Sequence, residues 1–313
     1  MTVADRKTTA AEWVSRMQQG DLRALSRMMS SAENRDRQVL EVLSLLHGRL
    51  GHARIMGITG PPGAGKSTLT GAFLRQLRAR GHKVAVVAVD PVSPFSGGAL
   101  LGDRIRLVDH FNDPGVFIRS LSTRGKLGGL SGATRQVVAL ADAFGFDDII
   151  VETVGVGQSE VDVRRLADVT LVVLVPEWGD SIQAIKAGLL EIGDVFAVNK
   201  ADREGADRIV NELRVLCQIA HREDTPILTA SSREETSQVQ LLEALEKFIE
   251  RNAELVKKRR KAAGPDTVRE VMEAMVLEEM SGWLDRESTE QGNPYSFLVD
   301  FSRQHPPGTL FSK

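Results

Sequence analysis

The stretch "GITGPPGAGKST", residues 57–68, constrains this chain more than any other. It follows a short apolar run and opens a helix-length segment, the context in which a glycine loop closes around phosphate. Gly60, Pro62, Gly63, Ala64 and Gly65 make the loop, and the glycines let backbone N–H groups approach a β-phosphate closely. Lys66 is expected to reach the β and γ oxygens, and the hydroxyl of Ser67 to ligate Mg²⁺. Thr68 falls at the start of the helix, where free N–H groups and the helix dipole favour an anion. A chain with this loop transfers phosphate, uses its hydrolysis for work, or times an interaction with it. The other segments decide among these.

From Arg54 onward, short apolar runs alternate with helix-length segments. The predicted strands are "RIMGIT" (54–59), "KVAVVAV" (83–89), "VFIRSL" (116–121), "DIIVE" (148–152), "TLVVLV" (170–175), "DVFAVN" (194–199) and "PILTA" (226–230). Several are continuously apolar, as strands covered on both faces should be. This predicts an α/β fold, a doubly wound and mostly parallel sheet of the P-loop NTPase kind. Residues 10 to 50 read as helices, with Trp13, Met17, Leu22, Leu25, Met28 and Met29 at helical spacing and a break at Gly20-Asp21. "VQLLEALEKFIERNAELVKKRRKAAG" predicts a long helix ending at Gly264-Pro265. A second helix follows over "DTVREVMEAMVLEEMSGWL", with Val268, Met272, Met275, Val276, Met280 and Trp283 on one side. The expected organisation is an N-terminal helical extension over 1–50, a nucleotide domain over 51–255, and a C-terminal helical arm and tail over 256–313.

Composition narrows the function classes. A net charge of −2 disfavours a dedicated nucleic-acid binder. The basic run at 257–261 has no interleaved aromatics and reads as a solvated helix face. The single cysteine, Cys217, allows no internal disulfide and suits the cytoplasm. The first residues hold no continuous apolar stretch, and no run of about 18 apolar residues occurs, so neither a signal peptide nor a membrane span is expected.

The base and the switch residues come next. "FAVNKAD" ends a predicted strand, and Asn199-Lys200-x-Asp202 is the guanine signature. A carboxylate at Asp202 accepts the hydrogens of guanine N1 and N2, which adenine does not offer. Asn199 would reach N7 and brace the loop, and the stem of Lys200 would cover the ring. "TASS" (229–232) is either a last base-contacting loop, through Ser231 and Ser232, or a plain strand end. "DDIIVETVGVGQSE" sets Glu152 at the end of an apolar strand, an acid suited to Mg²⁺, with Gly155 three positions on to sense a γ-phosphate. Asp90 ends the second strand and Asp103 follows in a glycine-rich loop. They are either acids that join the metal site in the GTP state or, respectively, a cap and a solvated carboxylate. Val156 stands where Ras-like enzymes carry the glutamine that orients water, so unaided hydrolysis is expected to be slow.

Together, "GPPGAGKSTL", "DPVSPFSGGALLGDRIRL", "FIRSLSTRGKLGGL", "ETVGVGQSE" and "FAVNKAD" resemble the MeaB/ArgK family, GTPase chaperones of adenosylcobalamin-dependent methylmalonyl-CoA mutase and its relatives. The similarity runs over roughly residues 15 to 250. It implies a GTPase that binds GTP/GDP and Mg²⁺, forms a homodimer through a C-terminal arm, and assists loading and protection of an acyl-CoA mutase. By position it implies Lys66, Ser67, Asp90, Asp103 and Glu152 as phosphate and metal residues. It also implies "EWGDSIQAIKAG", with Asp180, Gln183 and Lys186, as a third switch; Trp178 departs from the small residue expected there.

Two other functions compete. A metallochaperone needs clustered His and Cys, whereas the six histidines are scattered and there is one cysteine. A kinase needs an acceptor site with a base near its hydroxyl, and no motif supplies either.

Overall fold

A computed structural model describes residues 8–90, 110, 112–122, 132–153, 159–176, 188–231 and 233–287 of the 313-residue chain. Seven strands form one sheet: β1 (Arg54–Thr59), β2 (Val84–Asp90), β3 (Val116–Ser122), β4 (Asp148–Thr153), β5 (Val169–Leu174), β6 (Val195–Asn199) and β7 (Ile227–Ala230). Their order is β3-β2-β4-β1-β5-β6-β7, and every neighbouring pair is parallel. Every residue of β4 and of β5 is buried, which is why these runs are apolar without alternation. The chain reverses its direction of travel across the sheet at β1, so the loop after β1 lies where parallel α/β sheets bind ligands.

The two faces of the sheet are read alternately, as the two-residue period of a strand requires. On one face Ala85, Val87, Ile149 and Val151 meet α5 (Gly132–Phe144) and α6 (Ser159–Leu166), and α1 (Ala10–Gln18), α2 (Leu22–Glu33) and α3 (Gln38–Leu45) continue the same core, α2 and α3 lying against α5. Val84, Val86, Ile150, Leu171 and Val173 pack on the other, with α4 (Lys66–Ala79) and α9 (Glu235–Arg251). Beyond the one-turn α7 (Leu190–Ile192), β6 is covered by α8 (Ala206–Ile219), where Cys217 is a buried apolar contact. The expected break at Gly20-Asp21 is present. Gly20 takes φ +81°, and Asp21 caps α2 by accepting from the Arg23 and Ala24 N–H groups.

The C-terminal helices differ from expectation. The first stops at Arg251, where the Asn252 amide turns back to the Phe248 carbonyl at 2.9 Å. The next, α10 (Ala253–Glu287), runs through Gly264-Pro265 instead of ending there. Pro265 removes one ladder donor, and the Thr267 hydroxyl adds a bond to Ala263 O at 2.8 Å just beyond it. The described residues group into two compact units, those up to Val268 and those from Arg269 on.

The basic run is not wholly a solvated face. Lys257, Lys258 and Lys261 are exposed. Arg259, however, grips both oxygens of Asp194 at 2.8 Å and reaches Asp168 O at 3.1 Å. Arg260 bonds both oxygens of Asp168, with its Nε 2.7 Å from Oδ1, and the carbonyls of Gly51 and Ala53. Asp194 and Asp168 are 3% and 1% exposed, so the two arginines neutralise acids buried just before β5 and β6.

Candidate nucleotide-binding site

The glycine loop leaves β1 and enters α4 as the sequence predicts. Two glycines are required by their surroundings. A Cβ on Gly60 (φ +137°) would lie 2.1 Å from the Val173 carbonyl oxygen, and one on Gly65 (φ +89°) would lie 2.3 Å from the Asn199 amide nitrogen. Pro62 and Gly63 are exposed at the tip, Ala64 is buried, and Thr68 is exposed in the first turn of α4. Lys66 is buried at the start of α4, and its ammonium folds back onto the loop, donating to Gly60 O at 2.8 Å and Pro61 O at 2.9 Å. The ammonium thus lies at the loop that anionic oxygens would enter.

The acid at the end of β4 meets the helix that follows the loop. The Ser67 hydroxyl donates to Glu152 Oε1 at 2.5 Å, and the Thr70 hydroxyl to Oε2 at 2.8 Å. Thr153 donates to Thr59 at 2.9 Å, tying the ends of β4 and β1 together. Hydroxyl and carboxylate oxygens are the donors a hard divalent cation takes. Thr70 was not singled out by the sequence, because a threonine inside a helix carries no signature of its own.

The second loop is joined to the first. The Asn199 amide donates to Ala64 O at 2.8 Å, so the end of β6 braces the glycine loop. An amide has two N–H hydrogens, and the second remains available to a purine N7. Its Oδ1 is buried without a hydrogen-bond partner among the described residues. Lys200 adopts φ +57°, turning the chain sharply after the strand, and the Ala201 N–H reaches Ala230 O at 3.0 Å. This brings Asp202 to the end of β7. There Ser231 donates to Asp202 Oδ1 at 2.9 Å, and Arg233 lies 3.3 Å from Oδ2. The Ser231 bond first, then the bond from Asp202's own backbone N–H and the attraction of Arg233, hold the Asp202 carboxyl below the usual carboxylate range. Ser231 is itself fixed: its N–H donates to Ser237 at 3.1 Å, and its carbonyl accepts from Gln238 at 2.9 Å. Of the two readings of Ser231, a contact or a plain strand end, its bond to the base-loop acid favours the first. Ser237 and Gln238 were missed, since polar residues opening a helix look like solvated ones.

Asp90 is the last residue of β2, in register with Ser122; its side chain lies outside the described residues, as do Asp103, Gly155, Ser232 and the third-switch segment. Among the described residues there is no cluster of three or more His, Cys, Asp and Glu. No described helix is long and apolar enough to cross a membrane.

A parallel sheet, a glycine loop at its switch point and an Asn-Lys-x-Asp loop tied to it define a P-loop NTPase of the guanine-nucleotide kind. The chain belongs to the family described as methylmalonyl Co-A mutase-associated GTPase MeaB, whose sequence profile matches residues 23–284. It is 46% identical over 258 residues to a Pyrococcus horikoshii protein named "Putative GTPase", covering 80% of this chain and 81% of that one. It is 42% identical over 200 residues to the Escherichia coli protein named GTPase ArgK, covering 63% and 60%. A solved structure described as LAO/AO transport system kinase superposes with a TM-score of 0.70 at 26% identity, over 98% of this chain and 96% of that one.

Proposed function

We propose that this chain binds GTP and GDP with Mg²⁺, hydrolyses GTP slowly alone, and serves as a chaperone that helps load and protect an adenosylcobalamin-dependent acyl-CoA mutase. The observation that carries the guanine reading is Asp202, an ionised carboxylate fixed by Ser231 beside a loop that Asn199 ties to the phosphate cradle. Guanine N1 and N2 would donate to it. Lys66 would exchange the Gly60 and Pro61 carbonyls for β and γ oxygens. Ser67 and Glu152 would hold Mg²⁺, which neutralises charge developing on the phosphates. Asp90, Asp103 and Gly155 would complete the GTP-state arrangement, as their places in the sequence suggest.

The mutase partner rests on the family's description, and the homodimer on the apolar stripe of the C-terminal helix. Slow hydrolysis rests on Val156, and it makes a partner-controlled timer the natural use of the nucleotide. The test is single-turnover GTP hydrolysis with and without purified methylmalonyl-CoA mutase. Stimulation is expected, with the γ-phosphate released as inorganic phosphate. A fast rate that no cobalamin mutase alters would remove the chaperone reading. Appearance of the γ-phosphate on a protein acceptor would favour phosphotransfer, the activity that the kinase name of the solved relative denotes.

A further inference from the structure

Glu152 occupies a place more often held by aspartate in P-loop proteins. Its extra methylene adds a torsion, and a metal-holding carboxylate with an unrestrained torsion is poorly aimed. Here both carboxylate oxygens are engaged from a single helix, by Ser67 on Oε1 and by Thr70 on Oε2. Positions 67 and 70 are three apart on α4, so the two hydroxyls share the face that meets β4. Thr70 is fully buried and Glu152 is 7% exposed. A threonine inside a helix commonly returns its proton to the carbonyl four residues back. Thr70 gives its one proton to Glu152 instead.

We propose that Thr70 is a positioning residue for this carboxylate: it fixes Oε2 and so aims Oε1, shared with Ser67, at a divalent cation. The proposal rests on the nucleotide and Mg²⁺ reading above. The two hydroxyls then have separate parts. Ser67 is a ligand and changes partner when a cation binds; Thr70 keeps the same partner in both states and removes the freedom that the longer acid introduces. Thr70 acts only through Glu152, so its effect should be confined to conditions in which a cation is bound.

The experiment is a titration of fluorescent GDP onto the full chain, in a series of MgCl₂ concentrations and in EDTA. Thr70→Val replaces the hydroxyl by a methyl group of similar shape. The Mg²⁺ concentration giving half of the effect on GDP affinity should rise about 10–100-fold, while affinity in EDTA changes by less than about twofold. Thr70→Ser should restore the Mg²⁺ response to within about threefold of the parent, because the bond and not the methyl group is at issue. An unaltered Mg²⁺ response in Thr70→Val overturns the proposal. An equal loss with and without Mg²⁺ also overturns it, by making Thr70 a packing residue, as does failure of Thr70→Ser to restore the response. Circular dichroism checks folding, and Thr70→Ala carries the comparison if the valine variant does not fold. Failure of the parent reading is distinct: the unsubstituted chain would then bind no GDP, or bind it without regard to Mg²⁺.

Discussion

At the scale of single residues, the base site makes two sharp demands. Asp202 must be ionised and must accept from N–H donors. Asp202→Asn keeps the shape but offers an amide to the guanine N2 hydrogens. The loss of a charge-assisted hydrogen bond should weaken GTP binding by about 1.5–3 kcal/mol. Xanthosine triphosphate, with oxygen at that position, should regain part of it. Parallel titrations of both nucleotides read the exchange; tight binding of ATP by the parent chain would remove the guanine assignment itself. The second demand falls on Ser231, whose hydroxyl holds the Asp202 carboxyl below its usual range. A depressed carboxylate stays charged as pH falls through the ordinary range. Without the hydroxyl it should take up its proton at a higher pH. Ser231→Ala is therefore expected to move the acid limb of GDP binding upward in pH. NMR titration of the Asp202 carboxyl carbon gives the same shift directly, and coincident curves for parent and variant would exclude it.

At the scale of elements, the arginines of α10 make the clearest energetic claim. Arg259 is 15% exposed and its partner Asp194 is 3% exposed. Removing one member of a buried pair strands the other. Arg164 also reaches Asp194, at 3.1 Å, and the Thr170 N–H donates to it at 3.0 Å, so part of the compensation would survive. Arg259→Ala should cost about 3 kcal/mol, the low end for such pairs, and urea unfolding measures it. A change within the noise would return this arginine to the solvated face that the sequence suggested. That misreading is instructive. A run of five basic residues looks the same whether its acids are in solvent or at the base of a distant strand, because the partners lie 65 and 92 positions away. The strands were legible for the opposite reason: burial on both faces writes itself locally, as continuous valine and isoleucine. The glycine loop was legible because φ and close approach demand glycine at fixed spacing, as the Val173 and Asn199 contacts bear out. The support behind the site was not. Thr70, Ser237 and Gln238 each reach the site through one hydrogen bond, and any small polar residue looks alike until the fold shows what it faces. The helix over 253–287 escaped because Gly264-Pro265 is a strong local stop signal that the longer helix overrides.

At the scale of the whole molecule, that helix sets the last expectation. Its early turns are clamped to the sheet by Arg259 and Arg260, on the side of the fold opposite the nucleotide loops, since Asp168 and Asp194 precede their strands while Ser67 and Asp202 follow theirs. Farther along the same helix, Val268 is 59% exposed and Met272 is 46% exposed. Both are already about half covered, so burying the rest stabilises an interface by about 1 kcal/mol each, and a two-fold interface counts each twice. In the sequence the two belong to one apolar stripe with Met275, Met280 and Trp283. We therefore expect a homodimer through the C-terminal helix, with twice the chain mass in light scattering at tens of micromolar concentration. Paired substitution of Val268→Asp and Met272→Asp, which sets like charges on an apolar seam, should shift the mass to that of one chain. It should leave GDP affinity intact, because neither side chain belongs to the nucleotide site. A parent chain that is already monomeric at that concentration would sink the expectation. A paired variant that still dimerises would move the interface to another surface.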